Sequence, residues 1–379
     1  MKTYFMVRGD ICSVVMSGTE NMTYKYAEFL RRRNYDIEML LAYSFPLFSD
    51  KLKPDHKAIR ERYRLLKSRK IKFVRVETPF SGCMLVHLRD LPDGIIYFPY
   101  TFYEYLTNVF LKRKGQAFVF GGHCFELSTN YPLLRRAMDK LFILALKLGN
   151  YSIYFHTINP EQGEYLVRMG VPESNIFYVP YPIDYKDFPL KDNTSDKLKV
   201  LHIGGTNKNS VSLIGIFDKL IEANEFDRYE FYFMGSRQPS ELQEYAKKYG
   251  NIKILGFVTG EQKFNYLQKS DVLIMPGLET FSIAGLEALE TGPILVTRPN
   301  PAMKKVQDLG GKLFIVEHDP DAYIAAFKKV IAIKKNAKLM RKYRLDNKRI
   351  CKKYYSSEVV LPQMEGMFNA ISRRHAKNR

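Results

Sequence analysis

The chain has 379 residues, 46% of them hydrophobic and 14% aromatic, and 59 Lys and Arg against 40 Asp and Glu give it a formal charge of +19. That length accommodates two domains, and that apolar content supports packed cores and excludes an intrinsically disordered chain. No stretch approaches the roughly 18 apolar residues of a transmembrane helix. The four cysteines, Cys12, Cys83, Cys124 and Cys351, are scattered without a C-x-x-C pair, which points to a reducing compartment and away from structural zinc.

The chain opens with a strand at 3–7. Arg8, Asp10, Ser13 and Ser17 interrupt the apolar stretch that a secretory signal needs, so a cytoplasmic protein is expected. A helix at 20–33, with Tyr24, Ala27 and Leu30 at helical spacing, leads to a strand at 37–42. Before that helix lies Ser17-Gly18-Thr19-Glu20, where Gly18 either lets the backbone come close to a ligand or simply makes a turn. Residues 55–70 read as a basic amphipathic helix with Ile59, Tyr63 and Leu66 on one face, and 71–76 as a strand. An irregular stretch at 79–94 contains Gly82, Pro92 and Gly94; a strand at 95–98, a helix at 103–114 and a strand at 117–120 follow. The last strand runs into Gly121-Gly122-His123, placing His123 at the carboxyl edge of a sheet, where open α/β folds bind ligands. A structural histidine fits the same place, and His123 with Glu126 offers a metal two ligands but no third. An apolar helix at 133–148, a strand at 153–155 running into His156-Thr157, a helix at 161–170 and a strand at 176–179 complete a first domain, residues 1–190.

Residues 186–199 are polar and charged and read as a linker. The pattern then restarts. Strands at 199–203, 230–234, 252–255, 272–275, 294–296 and 313–316 alternate with helices at 211–222, 240–249, 261–269 and 282–291. This alternation predicts a doubly wound parallel sheet with right-handed crossovers in a second domain, residues 191–355. Asp319-Pro320-Asp321 spells D-x-D, a metal-binding pattern, but is better read as a helix N-cap with proline at N1. In the C-terminal segment, 356–379, a final amphipathic helix at 359–371 turns Leu361, Met364, Met367 and Phe368 inward.

The stretch 270–300 carries the most chemistry. Its strand is stopped by Pro276 and Gly277, and the helix that follows has Ile283, Leu286 and Leu289 at helical spacing before Gly292-Pro293 ends it. The helix start at Ser282, Ile283 and Ala284 offers free backbone N–H groups and the positive end of a dipole, a ready phosphate site. Glu279 at the strand exit and Glu287 in the helix flank that site and can accept hydrogen bonds from sugar or ribose hydroxyls.

The segment Glu279-Thr-Phe-Ser-Ile-Ala-Gly-Leu-Glu287-Ala-Leu resembles the E-x7-E signature of retaining, nucleotide-sugar-dependent glycosyltransferases of the family 4 (group 1) type. The resemblance implies a GT-B fold: two Rossmann-like doubly wound domains facing across a cleft, with the C-terminal helix crossing back to the N-terminal domain. It implies that Glu279 contacts the donor sugar, that Glu287 binds the ribose, and that the helix start, with Phe281 before it, holds the diphosphate. Ser17-Gly18-Thr19-Glu20 resembles the family's Gly-Gly-x-Glu loop, with Ser in place of the first glycine, and His123 stands where the family has a histidine touching the donor sugar. The loop Gly204-Gly205-Thr206-Asn207-Lys208 is similar to the one that carries the family's Arg and Lys; Gly205 occupies the Arg position and Lys208 serves as the Lys. Phe257 and Val258 fall where the nucleotide base packs. His156 stands where the family more often has Ser and is not assigned a catalytic role.

The expected reaction is therefore retaining transfer of a sugar from a UDP- or GDP-sugar, with Glu279, His123 and Lys208 as catalytic residues and no metal or other cofactor required. The acceptor side is read from charge. Residues 51–75 hold eleven Lys and Arg against two acids, and residues 328–379 sixteen against three, which suits an anionic surface (lipid headgroups, nucleic acid or an acidic glycan) or equally two solvated helical faces. A lipid-linked or glycan acceptor at the inner face of the membrane is expected. The alternatives are a soluble polysaccharide or small-molecule acceptor on the same fold, or a basic nucleic-acid-binding protein, for which no recognisable motif exists.

Overall fold

The structure, a computed structural model, describes residues 2–8, 18–43, 64, 67–68, 71–80, 83–86, 93–99, 115–121, 140, 144, 152–191, 195–204, 210–235, 238–258, 260–277, 279 and 281–377. The chain divides into two compact units, Met1–Tyr181 with Val360–Arg379, and Pro182–Val359. Of the helices expected at 55–70 and 133–148, Arg64, Lys67, Ser68, Lys140 and Leu144 fall among the described residues, and all five are helical; the helix expected at 103–114 lies outside the described residues.

The sheet of the first unit comprises β1 (Thr3–Arg8), β2 (Ile37–Tyr43), β3 (Ile71–Phe80), β4 (Cys83–Val86), β5 (Gly94–Phe98), β6 (Gln116–Phe120), β7 (Ile153–Thr157) and β8 (Ile176–Tyr178), in the order β4-β3-β2-β1-β5-β6-β7-β8. All pairings are parallel except β3 with β4. Strands β5, β6 and β7 are buried along their whole length, as unbroken apolar runs in a parallel sheet covered on both faces must be. β4 corrects the irregular stretch expected at 79–94. Phe80 pairs antiparallel with Cys83, three positions on in the sequence, which is the spacing of a two-residue hairpin. Helix α1 (Gly18–Arg32) joins β1 to β2, and α2 (Pro160–Arg168) joins β7 to β8, capped by Asn159. His156 lies on β7, fully buried. Its Nδ1 accepts from Tyr97 (2.8 Å), its Nε2–H donates to the Val179 carbonyl (2.7 Å), and burial pushes its pKa down to about 4, so it is a neutral structural imidazole.

The sheet of the second unit comprises β9 (Leu198–Ile203), β10 (Tyr229–Met234), β11 (Ile252–Gly256), β12 (Val272–Met275), β13 (Ile294–Thr297) and β14 (Phe314–Ile315), in the order β11-β10-β9-β12-β13-β14 and parallel throughout. Counted from the first strand this is third-second-first-fourth-fifth-sixth, the Rossmann order, and the direction of winding reverses between β9 and β12. The crossovers are α3 (Ile214–Glu222), α4 (Ser240–Lys248), α5 (Gly260–Lys269), α6 (Ile283–Thr291) and α7 (Pro301–Asp308), and α8 (Pro320–Lys335) and α9 (Ala337–Ile350) follow the last strand. The core is strongly aromatic: Phe217, Phe226, Tyr229, Phe231, Phe233 and Phe327 are buried together, with Phe217 and Phe231 edge-on at 4.8 Å. Asp319 caps α8 through the Ala322 amide (3.1 Å) with Pro320 at N1, so that run acts as a helix start. The polar stretch expected as a linker is strapped to this unit. Lys186 N–H donates to Glu290, the Pro189 carbonyl accepts from Gln268 (3.0 Å), and the Lys191 carbonyl accepts from Arg344 (2.9 Å).

The last helix, α10 (Ser357–Lys377), begins in the second unit and packs in the first. Val360, Leu361, Met364, Met367, Phe368 and Ile371 are buried, and Phe368 meets Phe5 (5.4 Å) and Tyr97 (6.0 Å). Polar ties flank that stripe: Tyr35 Oη donates to Asn369 (2.8 Å), Arg33 pairs with Glu365 (3.2 Å), and His375 meets the Gly115 carbonyl (3.1 Å).

A buried ion pair locks β9, β12 and α8. Asp271, with no exposed surface, takes the Lys199 amide (2.9 Å) and the Lys334 ammonium (2.9 Å), which also holds the Ser195 (2.7 Å) and Lys197 (2.9 Å) carbonyls. Lys334→Met leaves that carboxylate without its cation and is expected to cost about 3 kcal/mol in urea unfolding; an unchanged midpoint would contradict the role given to the pair.

Candidate functional site

Where the winding of the second sheet reverses, the helices after β9 and β12 leave on opposite faces and open a crevice at the carboxyl ends of the strands. Both strand exits are built for a close approach. Gly204 follows β9 at φ +145°, a conformation that favours glycine, and its carbonyl is held by Gln238 Nε2 at 2.9 Å. Beyond β12, Pro276 and Gly277 turn the chain towards α6. Ser282 is the N-cap, 2% exposed, and its Oγ accepts from the Gly285 amide at 3.0 Å. The first intrahelical bond is Leu286 N–H to Ser282 carbonyl, so the amides of Ile283 and Ala284 stand ahead of the ladder. A Cβ at Gly285 would lie 3.3 Å from both Met275 Sδ and Met303 Sδ; its absence lets the helix start settle against β12 and α7.

The two glutamates of the E-x7-E spacing are held differently, Glu279 through its main chain and Glu287 through its carboxylate. Asn300, the N-cap of α7, is 4% exposed; its Oδ1 accepts from the Ala302 (3.0 Å) and Met303 (3.2 Å) amides while its Nδ2 donates to the Glu279 carbonyl (2.5 Å). Glu287 accepts from Lys263 of α5 at 2.6 Å, with side-chain exposures of 17% and 23%. The pair is partly open, so the other carboxylate oxygen is left for a hydroxyl donor. Phe281, 8% exposed, packs edge-on to Tyr355 (6.4 Å) and anchors the loop into the helix. One turn beyond Glu287, Glu290 is buried; burial pushes its carboxyl up to about 7, with the Lys186 amide opposing and the Glu287 charge adding to the rise.

Gly204, Glu279, Phe281, Ser282, Ile283, Ala284 and Glu287 therefore gather at the reversal point. Phe257, 59% exposed, and Val258 follow β11, which lies two strands along the same edge. Gly18 is the first residue of α1, which starts two residues ahead of the helix start expected at 20. His123, Glu126, Gly205 and Lys208 lie outside the described residues. Sequence reading passed over Asn300, Lys263 and Glu290. Asn300-Pro301 carried a legible cap-and-N1 signal, whereas Lys263 and Glu290 acquire meaning only from the packing of α5 and of residues 184–191 on α6.

Residues 197–332, within the second unit, match the family model described as Glycosyl transferases group 1. No protein with a curated description matches the chain in sequence. Among solved structures, a glycosyltransferase from Rickettsia africae superposes with a TM-score of 0.70 at 12% identity over 98% of each chain. Sucrose-phosphate synthase from Thermosynechococcus elongatus gives 0.68 at 12% over 98% of this chain and 100% of the other. Anabaena HepE, solved in complex with UDP and glucose, gives 0.63 at 14% over 99% of each. Likeness at this identity establishes architecture, and the architecture is the GT-B fold expected from the sequence.

Glu290 makes stability depend on pH. Its folded pKa of about 7 lies above the ordinary 4.5, so its contribution is fully present below 4.5 and is lost as pH rises to 7, by on the order of 2–3 kcal/mol. Glu290→Gln keeps an acceptor for Lys186 without the charge. Urea unfolding is expected to show the variant gaining on the wild type between pH 5 and pH 8; a constant difference would contradict the shift.

Proposed function

We propose that the chain is a retaining glycosyltransferase of the family 4 type that moves a hexosyl group from a nucleoside diphosphate sugar to a glycan or lipid-linked acceptor. One observation carries this reading: a helix start with two amides ahead of its ladder, at the reversal point of a Rossmann sheet, flanked by Glu279 and Glu287. The group 1 domain match over 197–332 supports it, as does the fold shared with HepE, whose structures include complexes with UDP and with UDP-glucose.

In this reading the second unit takes the donor and the first the acceptor. The diphosphate lies on the amides of Ile283 and Ala284, with Lys208 adding a cation; Glu287 accepts from the ribose, Phe257 and Val258 meet the base, and Glu279 with His123 orients the sugar. Gly18, Gly204 and Gly205 give the backbone room to approach. Breaking the glycosidic bond places charge on the leaving diphosphate, and preorganised amides and cations stabilise that charge without a metal. Gly205 stands where the family has an arginine, so the helix start carries more of this load here. Among the residues assigned to the site no carboxylate is placed as a nucleophile, which favours same-face displacement over a covalent glycosyl-enzyme.

The proposed acceptor surface is an anionic membrane. No helix among the described residues is long and apolar enough to cross one. Part of the C-terminal charge is spent inside the fold, since Lys334, Arg344 and Lys348 hold carbonyls and carboxylates. Lys338, Arg341, Lys342, Arg349, Lys352 and Lys353 are exposed and remain for a surface. Flotation should recover more protein with anionic than with neutral liposomes; equal recovery removes the membrane from the proposal.

The donor site is tested by thermal shift with UDP-, GDP- and ADP-sugars. One class is expected to stabilise the wild type, and Glu287→Ala to weaken that affinity about tenfold or more, the worth of one hydrogen bond to a charged group. A shift that survives the substitution unchanged counts against the ribose contact.

A further inference from the structure

We infer that Asn300 is a positioning residue for the reaction, holding the loop that presents Glu279 to the donor sugar. The inference rests on the donor reading above and adds a residue from outside the E-x7-E segment. The carboxamide of Asn300 is divided between two tasks. Its oxygen takes the Ala302 and Met303 amides (3.0 and 3.2 Å) and so is fixed by the start of α7. With the oxygen committed, the Nδ2 group must face the other way, and there it donates to the Glu279 carbonyl at 2.5 Å. The orientation of the amide is thus set by the helix, and the helix sets the loop.

The geometry bears on chemistry because the tie is made to the main chain of Glu279 itself. The loop leaves β12 at Met275, whose carbonyl accepts from the Arg298 amide (3.3 Å), and rejoins regular structure at Phe281 and Ser282. Glu279 lies between these anchors, and the Asn300 contact fixes its backbone from the far side, 21 residues along the chain. Asn300 is 4% exposed, so water does not compete freely for the bond. A shift of about 1 Å in a group that orients the reacting sugar costs on the order of a hundredfold in rate, whereas the amides of Ile283 and Ala284 and the Glu287 carboxylate are held by other contacts. Loss of the tie should therefore reach the sugar and spare the nucleotide.

Two variants separate this from a role in folding. Asn300→Asp keeps an N-cap of equal quality but has no N–H for the Glu279 carbonyl. Asn300→Ser also caps, is too short to reach that carbonyl, and adds no charge. Both are compared with the wild type for UDP and GDP affinity by calorimetry, and for release of nucleoside diphosphate from the UDP-, GDP- or ADP-sugar that the wild type binds. The expected result is nucleoside diphosphate affinity within about twofold of wild type, with kcat lowered about tenfold or more in both variants. Wild-type kcat in both, or affinity falling in step with kcat, overturns the positioning role. If the wild type binds no nucleoside diphosphate, the donor reading itself fails, a result distinct from either.

Discussion

The open N-terminus of α6 is the constraint on which the rest depends. A helix start normally finds partners for its first amides in a side chain, in water or in a ligand. Ser282 satisfies only the Gly285 amide, and the amides before it point out at the one place in the second sheet where neighbouring crossovers diverge. The sheet order puts the crevice there, Gly285 lets the helix lie close enough to β12 to reach it, and Gly204 keeps the opposite strand exit free of a side chain. Electrostatics then favour an anion, and the carboxylates at either end of the segment favour one that carries hydroxyl groups.

The second unit is rigid where that site needs it to be. Asp271 and Lys334 tie the amino ends of β9 and β12 to α8 and to residues 195–197, so the two strands that define the crevice are fixed at the end away from it. Residues 186–191 run along the same unit and are pinned to α5, α6 and α9 by Gln268, Glu290, Arg344 and Lys348. Glu290 therefore has a structural task one turn from Glu287, and its burial keeps a second negative charge from crowding the carboxylate assigned to the ribose.

Much of this was legible in the chain itself. The strands of the second sheet are short apolar runs in strict alternation with amphipathic helices, a pattern that admits little besides a parallel sheet, and the stripe Leu361, Met364, Met367, Phe368 foretold a helix buried on one side. What escaped reading depended on contacts between segments far apart in sequence. Lys263 looks like any surface lysine until α5 is laid against α6, and residues 186–191 look like part of a tether until the Pro189 and Lys191 carbonyls are seen to be taken by Gln268 and Arg344. The hairpin at β3–β4 was missed for a local reason: Gly82, Pro92 and Gly94 together drew the reading towards a loop. The start of α1 was placed two residues late, the usual uncertainty of a helix end.

The most direct measurement is a crystal structure of the chain with a nucleoside diphosphate bound. Phosphate oxygens are expected about 3 Å from the amides of Ile283 and Ala284, with the ribose against Glu287. A diphosphate bound elsewhere, with those amides turned to solvent, would contradict the reading of the α6 start as an anion cradle.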